Sequence, residues 1–393
     1  MLNPKQNLTS FTRVYQAKSA LLQPALGAGA AELAFGGVAT EFAKQNTVHE
    51  TDAAALSTLQ QTQSISTIEE LAALARLDAT QGTSFIKDLE LPSDLATRII
   101  DQLRKVRPET LADIDRFEKL EYTLGCDLDF SSPPPTVNPF QPAFVGGIEF
   151  GAPPPPAGPP PPTVVNLIDG NMPPIRDQAC RGTCVAFAST VCLEYHLNRF
   201  GNQTGLDLSE QFQYWNMVTT TGHRNLESTY PLLASAGSCR EITWPYYGCV
   251  MAGNDSQDPP PSRAAAEAMA YRCNQVRQIM PPRDISAIQA ELRRGRIVGI
   301  GIPVYKSWYK SGIVRQYGNI TVPIAGEVPD REGHAIALVG YADDPDYAGG
   351  GYFIVRNSWD SYWATEGVFG PGYGTIPYRY ISDYNWDAWC IVS

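Results

Sequence analysis

The sequence predicts an α+β protein, helices first and strands later, preceded by a separate helical region. Three observations carry this. A proline-rich stretch, "SSPPPTVNPFQPAFVGGIEFGAPPPPAGPPPPTVV", interrupts the 393 residues; proline runs form neither helix nor central strand and act as extended, semi-rigid spacers. Ahead of it, apolar residues recur at helical spacing. Behind it, helical segments give way to glycine-bounded runs rich in β-branched and aromatic residues. The expected organisation is a mainly helical domain over 1–130, a linker over 131–162 and a main domain over 163–393.

Each element has its own signal. Ser66 and Glu69 form a capping-box pattern ahead of Ile68, Leu71, Ala72 and Ala75, a helix-face spacing. "PSDLATRIIDQLRKV" sets Leu95, Ile99 and Leu103 on one face, and "PETLADIDRFEKLE" opens with Pro108, tolerated in a first turn, then repeats Leu111, Ile114 and Phe117. Beyond the linker, helices are expected over about 184–199, from Ser209 in "DLSEQFQYWNM", and in "DISAIQAELRRG", ended by Gly295. Strands are expected in "RIVGIGIPVY", "HAIALVGYA" and "GYFIVRNSW".

Composition narrows the function. With 43 % apolar and 18 % charged residues, a large core can form. A net charge of −11 argues against nucleic acid or an anionic membrane as partner, and no uninterrupted apolar stretch is long enough to span a bilayer. Eight cysteines without a CxxC…CxxC pattern, beside only four histidines, give no metal site and no cofactor. Cysteine usage of this kind favours disulfides and an extracytoplasmic compartment. The first forty residues nevertheless make a poor secretory signal, because their apolar part is late, glycine-rich and broken by Glu32.

The stretch "RDQACRGTCVAFAST" holds Cys180 and Cys184. Gly182 allows a tight turn, Thr183 stands where an N-cap belongs, and Cys184 begins a helix whose dipole favours a thiolate. Cys180, in the loop before, lacks that field. His334 opens a strand in "EGHAIALVGY", and a cysteine at a helix start facing a histidine at a strand start can form a thiolate–imidazolium pair. Asn357, ending the next strand in "FIVRNSWDSYW", can hold the ring, and Trp359 can shield that bond from water. The Cys184 backbone N–H and the Gln178 side-chain amide would supply two oxyanion donors.

These motifs resemble the papain-like cysteine peptidases. "RDQACRGTCVAFA" carries the glutamine-to-cysteine spacing of that family, "GHAIALVGY" its histidine strand and "RNSWDSYWATEG" its Asn-Ser-Trp segment. "LSEQF" is similar to its second helix and "STYPLLASAGSCREITWPYYG" to the stretch after its substrate-binding loop. The resemblance covers about residues 163–393 and implies a two-lobed catalytic domain, with a helical lobe against a β-barrel-like lobe. It implies that Cys184 attacks the scissile carbonyl, His334 protonates the leaving amine, Asn357 orients His334 and Gln178 stabilises the oxyanion of a peptide substrate. Tyr230, Pro231 and Ala335, with Gly333 and Trp359 alongside, would bind substrate and favour an apolar side chain at the second residue before the cleaved bond.

The chain departs from the family pattern at several places. Val185 follows the nucleophile where Trp is usual, Ser228 and Thr229 replace two glycines, and Glu332 precedes Gly333. Cys180 is offset by one residue from the usual bridging cysteine, and Cys239 is the first partner to expect. The family's N-terminal segments commonly block the cleft until cleaved, so the resemblance implies an intramolecular inhibitor in residues 1–130, although they lack its familiar propeptide pattern; the rival reading is a delivery or adaptor module that stays attached. An exopeptidase or transpeptidase would use the same groups. A non-catalytic binding module would be expected to lack one of them.

Overall fold

The computed structural model describes residues 3–22, 31, 34, 36–92, 94–128, 163–248 and 259–393. The proline-rich linker expected over 131–162 lies outside the described residues. Among the described residues, seven α-helices precede it: α1 (Phe11–Leu22), α2 (Gly37–Lys44), α3 (Ala53–Gln63), α4 (Ile68–Gln81), α5 (Phe85–Asp88), α6 (Leu95–Val106) and α7 (Pro108–Glu118). After it come β1 (Val164–Asn166), α8 (Cys184–Phe200), α9 (Glu210–Thr221), α10 (Leu226–Ser235), α11 (Ala264–Ala268), β2 (Val276–Gln278), α12 (Ile285–Arg293) and β3 (Val298–Ile302). The chain closes with α13 (Lys306–Tyr309), α14 (Gly312–Tyr317), β4 (His334–Asp343), β5 (Gly351–Arg356), β6 (Tyr373–Pro377), α15 (Tyr378–Tyr384) and β7 (Asp387–Ile391).

The strands form one seven-stranded antiparallel sheet in the order β2-β7-β3-β4-β5-β6, with β1 added along β4. The central strands are buried throughout, which explains why they read as near-continuous apolar runs. Helix α8 crosses this sheet and is buried at thirteen of its seventeen positions. Its first turn therefore sits beside the start of β4.

The N-terminal helices close on a second core that includes Phe42, Leu71, Ile99 and Leu103. That core takes in Ile313 and Tyr317 of α14 and also Ile324, so the helical region packs on the sheet-bearing part instead of standing free. The capping box of α4 is one residue later than the sequence pattern suggested. Thr67 accepts from Glu70 N, while Glu70 reaches back to Thr67 N at 3.1 Å. Glu69 instead turns inward and takes Thr9 N and Thr9 Oγ1 at 2.9 and 2.8 Å.

Arg315 of α14, 1 % exposed, is the joint between the two parts. Its Nη1 donates to the carbonyls of Phe117 and Glu118 at 2.9 and 2.8 Å and to that of Leu120, capping the end of α7. Its guanidinium also lies 5.0 Å from the centre of the Tyr122 ring, a cation–π contact in a desolvated setting. The segment leaving α7 is thereby aimed at the start of α8.

One buried carboxyl makes a test of this packing. Glu194 of α8 accepts Leu208 N at 2.7 Å. Burial raises its pKa from 4.5 to about 8 against the opposing pull of that amide, Arg356 and Arg176. A group whose pKa is raised by folding stabilises fully below its unfolded pKa, and that contribution is lost as pH rises through the folded value. Between pH 5 and 8.5 the thermal midpoint should fall, and Glu194→Gln should flatten the fall; equal slopes for both chains would contradict this.

Candidate active site

Cys184, His334, Gln178 and Asn357 come together at the junction of α8 with the sheet. Cys184 is the first residue of α8, and His334 is the first of β4, paired across to Ile302. Asn357 follows β5 directly, and Gln178 lies in the loop before α8, where its backbone N–H donates to Ser358 O at 2.9 Å. The Cys184 sulfur receives the backbone N–H groups of Ala335 and Val185. Thr183 is the N-cap residue, but its hydroxyl pairs with Tyr246 Oη at 2.7 Å and makes no cap bond.

The hydrogen bonds fix the imidazole. His334 Nε2 lies 2.7 Å from Asn357 Oδ1, which also accepts Ser358 N at 2.8 Å. A carbonyl oxygen only accepts, so Nε2 carries the proton and Nδ1 of the neutral ring holds a lone pair. Nδ1 is buried and has no hydrogen-bond partner among the described residues. The Trp359 ring stacks on the imidazole, centroids 4.4 Å apart and planes at 17°. Ser358, unremarked in the sequence although it adjoins Asn357, donates to Gln178 Oε1 at 2.6 Å and so turns Nε2 of that amide outward.

This site is closed. Cys184 and Gln178 are 0 %, His334 1 % and Asn357 5 % exposed. The cover is the segment 122–128, for which the sequence shows no motif. Tyr122 stacks on the Trp359 ring system at 4.6 Å and 12°. Thr123 O accepts Gln178 Nε2 at 2.8 Å and Trp359 Nε1 at 3.2 Å, so a carbonyl of the chain occupies the amide that would serve an oxyanion. Gly125 then crosses Gly182 so closely that a Cβ on it would overlap the Gly182 backbone. Cys126 pairs antiparallel with Gly333, with N–H···O distances of 3.1 and 3.0 Å. Asp127 N donates to Arg224 O at 2.7 Å, and its carboxylate takes Arg224 N at 2.7 Å and Arg224 Nη2 at 3.0 Å.

Burial sets the protonation state. The Cys184 thiol is pushed up to about 12 by loss of solvent, against the lowering effect of Ala335 N–H, Arg224 and Val185 N–H. His334 is lowered to about 4 by the same cause, opposed by its bond to Asn357. In the covered state both groups are neutral. The thiolate expected from the helix dipole is overridden here because desolvation of a buried charge exceeds the field of one helix terminus.

The substrate-binding residues expected from the sequence divide. Gly333, Ala335 and Trp359 lie at the site. Tyr230 does not line the cleft: it is 0 % exposed in α10, stacked on Trp389 at 5.7 Å, with its hydroxyl under Gly299. Pro231 sits in the same helix with its surface toward solvent. Residues Asn225, Leu226 and Glu227, earlier in that helix, line the cavity beside the covering segment. The expected Cys180–Cys239 disulfide is also absent. Cys180 is exposed and donates to Gly248 O at 2.9 Å, Cys239 is buried, and the seven described cysteines are all thiols. Among the described residues no group of side chains is arranged to hold a metal ion.

Comparison with known proteins shows the family and the fold. The model of the family described as "Papain family cysteine protease" matches residues 162–375. Thiol protease aleurain of Arabidopsis thaliana is 27 % identical over 210 residues, 51 % of this chain and 52 % of its own. Cathepsin K of Gallus gallus is 27 % identical over 210 residues, 50 % of this chain and 54 % of its own. The chain thus spans about half the length of these curated relatives. The crystal structure of xylellain, a cysteine protease from Xylella fastidiosa, superposes with a TM-score of 0.50 at 24 % identity, covering 59 % of this chain and 86 % of that one.

Proposed function

Since the chain belongs to the papain family of cysteine proteases, we propose that it is an endopeptidase made as a self-blocked precursor. The observation that carries this is the arrangement around His334: Nε2 is tied to Asn357 at 2.7 Å, Nδ1 is unpartnered, and the chain's own Thr123 carbonyl lies on the Gln178 amide. Once segment 122–128 leaves, His334 Nδ1 takes the Cys184 thiol proton and the thiolate attacks the substrate carbonyl. The oxyanion receives Gln178 Nε2 and the Cys184 N–H in place of Thr123. His334 then protonates the leaving amine, and water resolves the thioester with the same imidazole as base. Residues 1–128 act as the inhibitor, and cleavage between 129 and 162 releases them.

The apolar selectivity expected from Tyr230 and Pro231 is not carried forward, since neither residue lines the cleft. Alkylation tests the covered state. In the intact chain, iodoacetamide should modify Cys184 at least ~100-fold more slowly at pH 7 than in chain opened by limited proteolysis, since only the thiolate reacts. Equal rates, read by peptide mass mapping, would contradict it.

A further inference from the structure

Beside the covering segment lies a cavity of about 150 Å³ between Cys126, Leu128, Asn225, Glu227, Gly301 and Asp387. The absence of a side chain at Gly301 keeps it open. A Cβ built there would meet Cys126 Sγ at 3.6 Å, Asp387 Cβ at 3.7 Å and Leu128 Cδ2 at 3.9 Å. The Cys126 side chain therefore points from the segment toward Asp387 across the space above Gly301. It is short, and it leaves the cavity unfilled. The segment is itself a peptide held by backbone bonds to Gly333 and Arg224, so it marks the path a peptide takes past this opening.

The charge of the cavity is one-sided. Asp387 and Glu227 both line it, and no lysine or arginine does; burial, with a smaller contribution from the charge of Glu227, holds the Asp387 carboxyl above its usual range. Ala388 N and Gln278 Nε2 donate to Asp387 Oδ1 at 3.0 and 3.3 Å, and neither neutralises it. The nearby Arg224 is paired with Asp127 and with Glu332 at 3.2 Å. When the segment leaves, Asp127 goes with it and Glu332 remains as the partner of Arg224. Two carboxylates, half-buried Asp387 and exposed Glu227, then stand at an opening sized for a long side chain.

We propose that this cavity receives the lysine or arginine side chain of a peptide substrate, in the place Cys126 now takes, with Asp387 as its counter-charge. The proposal rests on the peptidase reading and names its substrate class: chains with a basic residue near the cleaved bond. A charge-assisted bond to a half-buried carboxylate is stronger than one in open solvent, and Leu226 and Trp386, which stay when the segment leaves, offer apolar walls to the aliphatic stem of such a side chain.

The covering segment supplies a test that needs no catalysis. In full-length Cys184→Ala chain, Cys126→Lys and Cys126→Met place side chains of similar length in the cavity, one charged. The lysine chain should melt about 2–4 °C above the methionine chain, and Asp387→Asn should remove that gap. A lysine chain melting at or below the methionine chain, or a gap that survives Asp387→Asn, overturns the proposal. Wild-type chain opened by proteolysis gives the second reading. kcat/KM for peptides with Arg in the selected position should exceed that for Leu by tenfold or more, and Asp387→Asn should bring the ratio near one. If opened chain cleaves no peptide while the melting gap depends on Asp387, the peptidase reading fails and the cavity's preference stands. If peptides are cleaved but neither the gap nor the Arg-to-Leu ratio depends on Asp387, the reverse holds.

Discussion

Gly125→Ala should switch on the intact chain. At this point the covering segment crosses the turn before α8 glycine on glycine, and an added methyl would overlap the backbone of Gly182. Backbone cannot step aside as a flexible side chain can. The segment must lift instead, and lifting breaks the neighbouring bonds from Gly125 N and Cys126 N to Gly333 O and withdraws Thr123 O from Gln178. Uncleaved Gly125→Ala chain should hydrolyse peptides at least ~100-fold faster than uncleaved wild type, while the fully opened forms of the two should match, because Gly125 belongs to the cover. A mutant as silent as wild type before cleavage would show that this crossing does not close the site. Thermal melting separates release from misfolding, since the helical and sheet cores do not include Gly125.

The second large effect is at the nucleophile. Cys184→Ala removes the sulfur that forms the thioester, so peptide hydrolysis by opened chain should fall by at least ~10⁴-fold. Asn357→Ala should cost less, because Trp359 still stacks on His334 while Nε2 loses its acceptor. The Cys184→Ala chain should remain folded, losing one sulfur from a site whose surrounding core stays intact. Substantial residual turnover in Cys184→Ala would remove the cysteine mechanism.

The part of the site that was readable in sequence is the part whose chemistry demands particular residue types at short range. Cys184 after a glycine turn, His334 at a strand start and Asn357 in an Asn-Ser-Trp run announce themselves, because few residue types perform those tasks. The helical and strand segments were readable for a similar reason: α7 begins at Pro108 and β4 at His334, as periodicity and punctuation suggested. The capping box slipped by one residue because Ser66-Glu69 and Thr67-Glu70 satisfy the same spacing, and only packing sends Glu69 inward to Thr9.

What escaped the sequence is tertiary. "YTLGCDL" carries no motif; its meaning comes from Gly333 and Arg224, some hundred to two hundred residues away, which pair with it. Tyr230 and Pro231 were expected as pocket walls because the resemblance to the papain-like family puts its apolar pocket there, but the turn of α10 buries Tyr230 beneath Gly299 and presents Asn225 to Glu227 instead. The protonation state of Cys184 also could not be read locally. The helix start favours a thiolate, and the cover, folded from a distant segment, reverses the balance.

The most direct measurement is intact mass over time in mildly acidic, reducing buffer, for wild type beside Cys184→Ala. The account predicts that wild type alone is trimmed between residues 129 and 162, with peptidase activity appearing as the larger fragment accumulates. Contradiction would be a chain that neither trims itself nor gains activity when an added protease cuts that stretch.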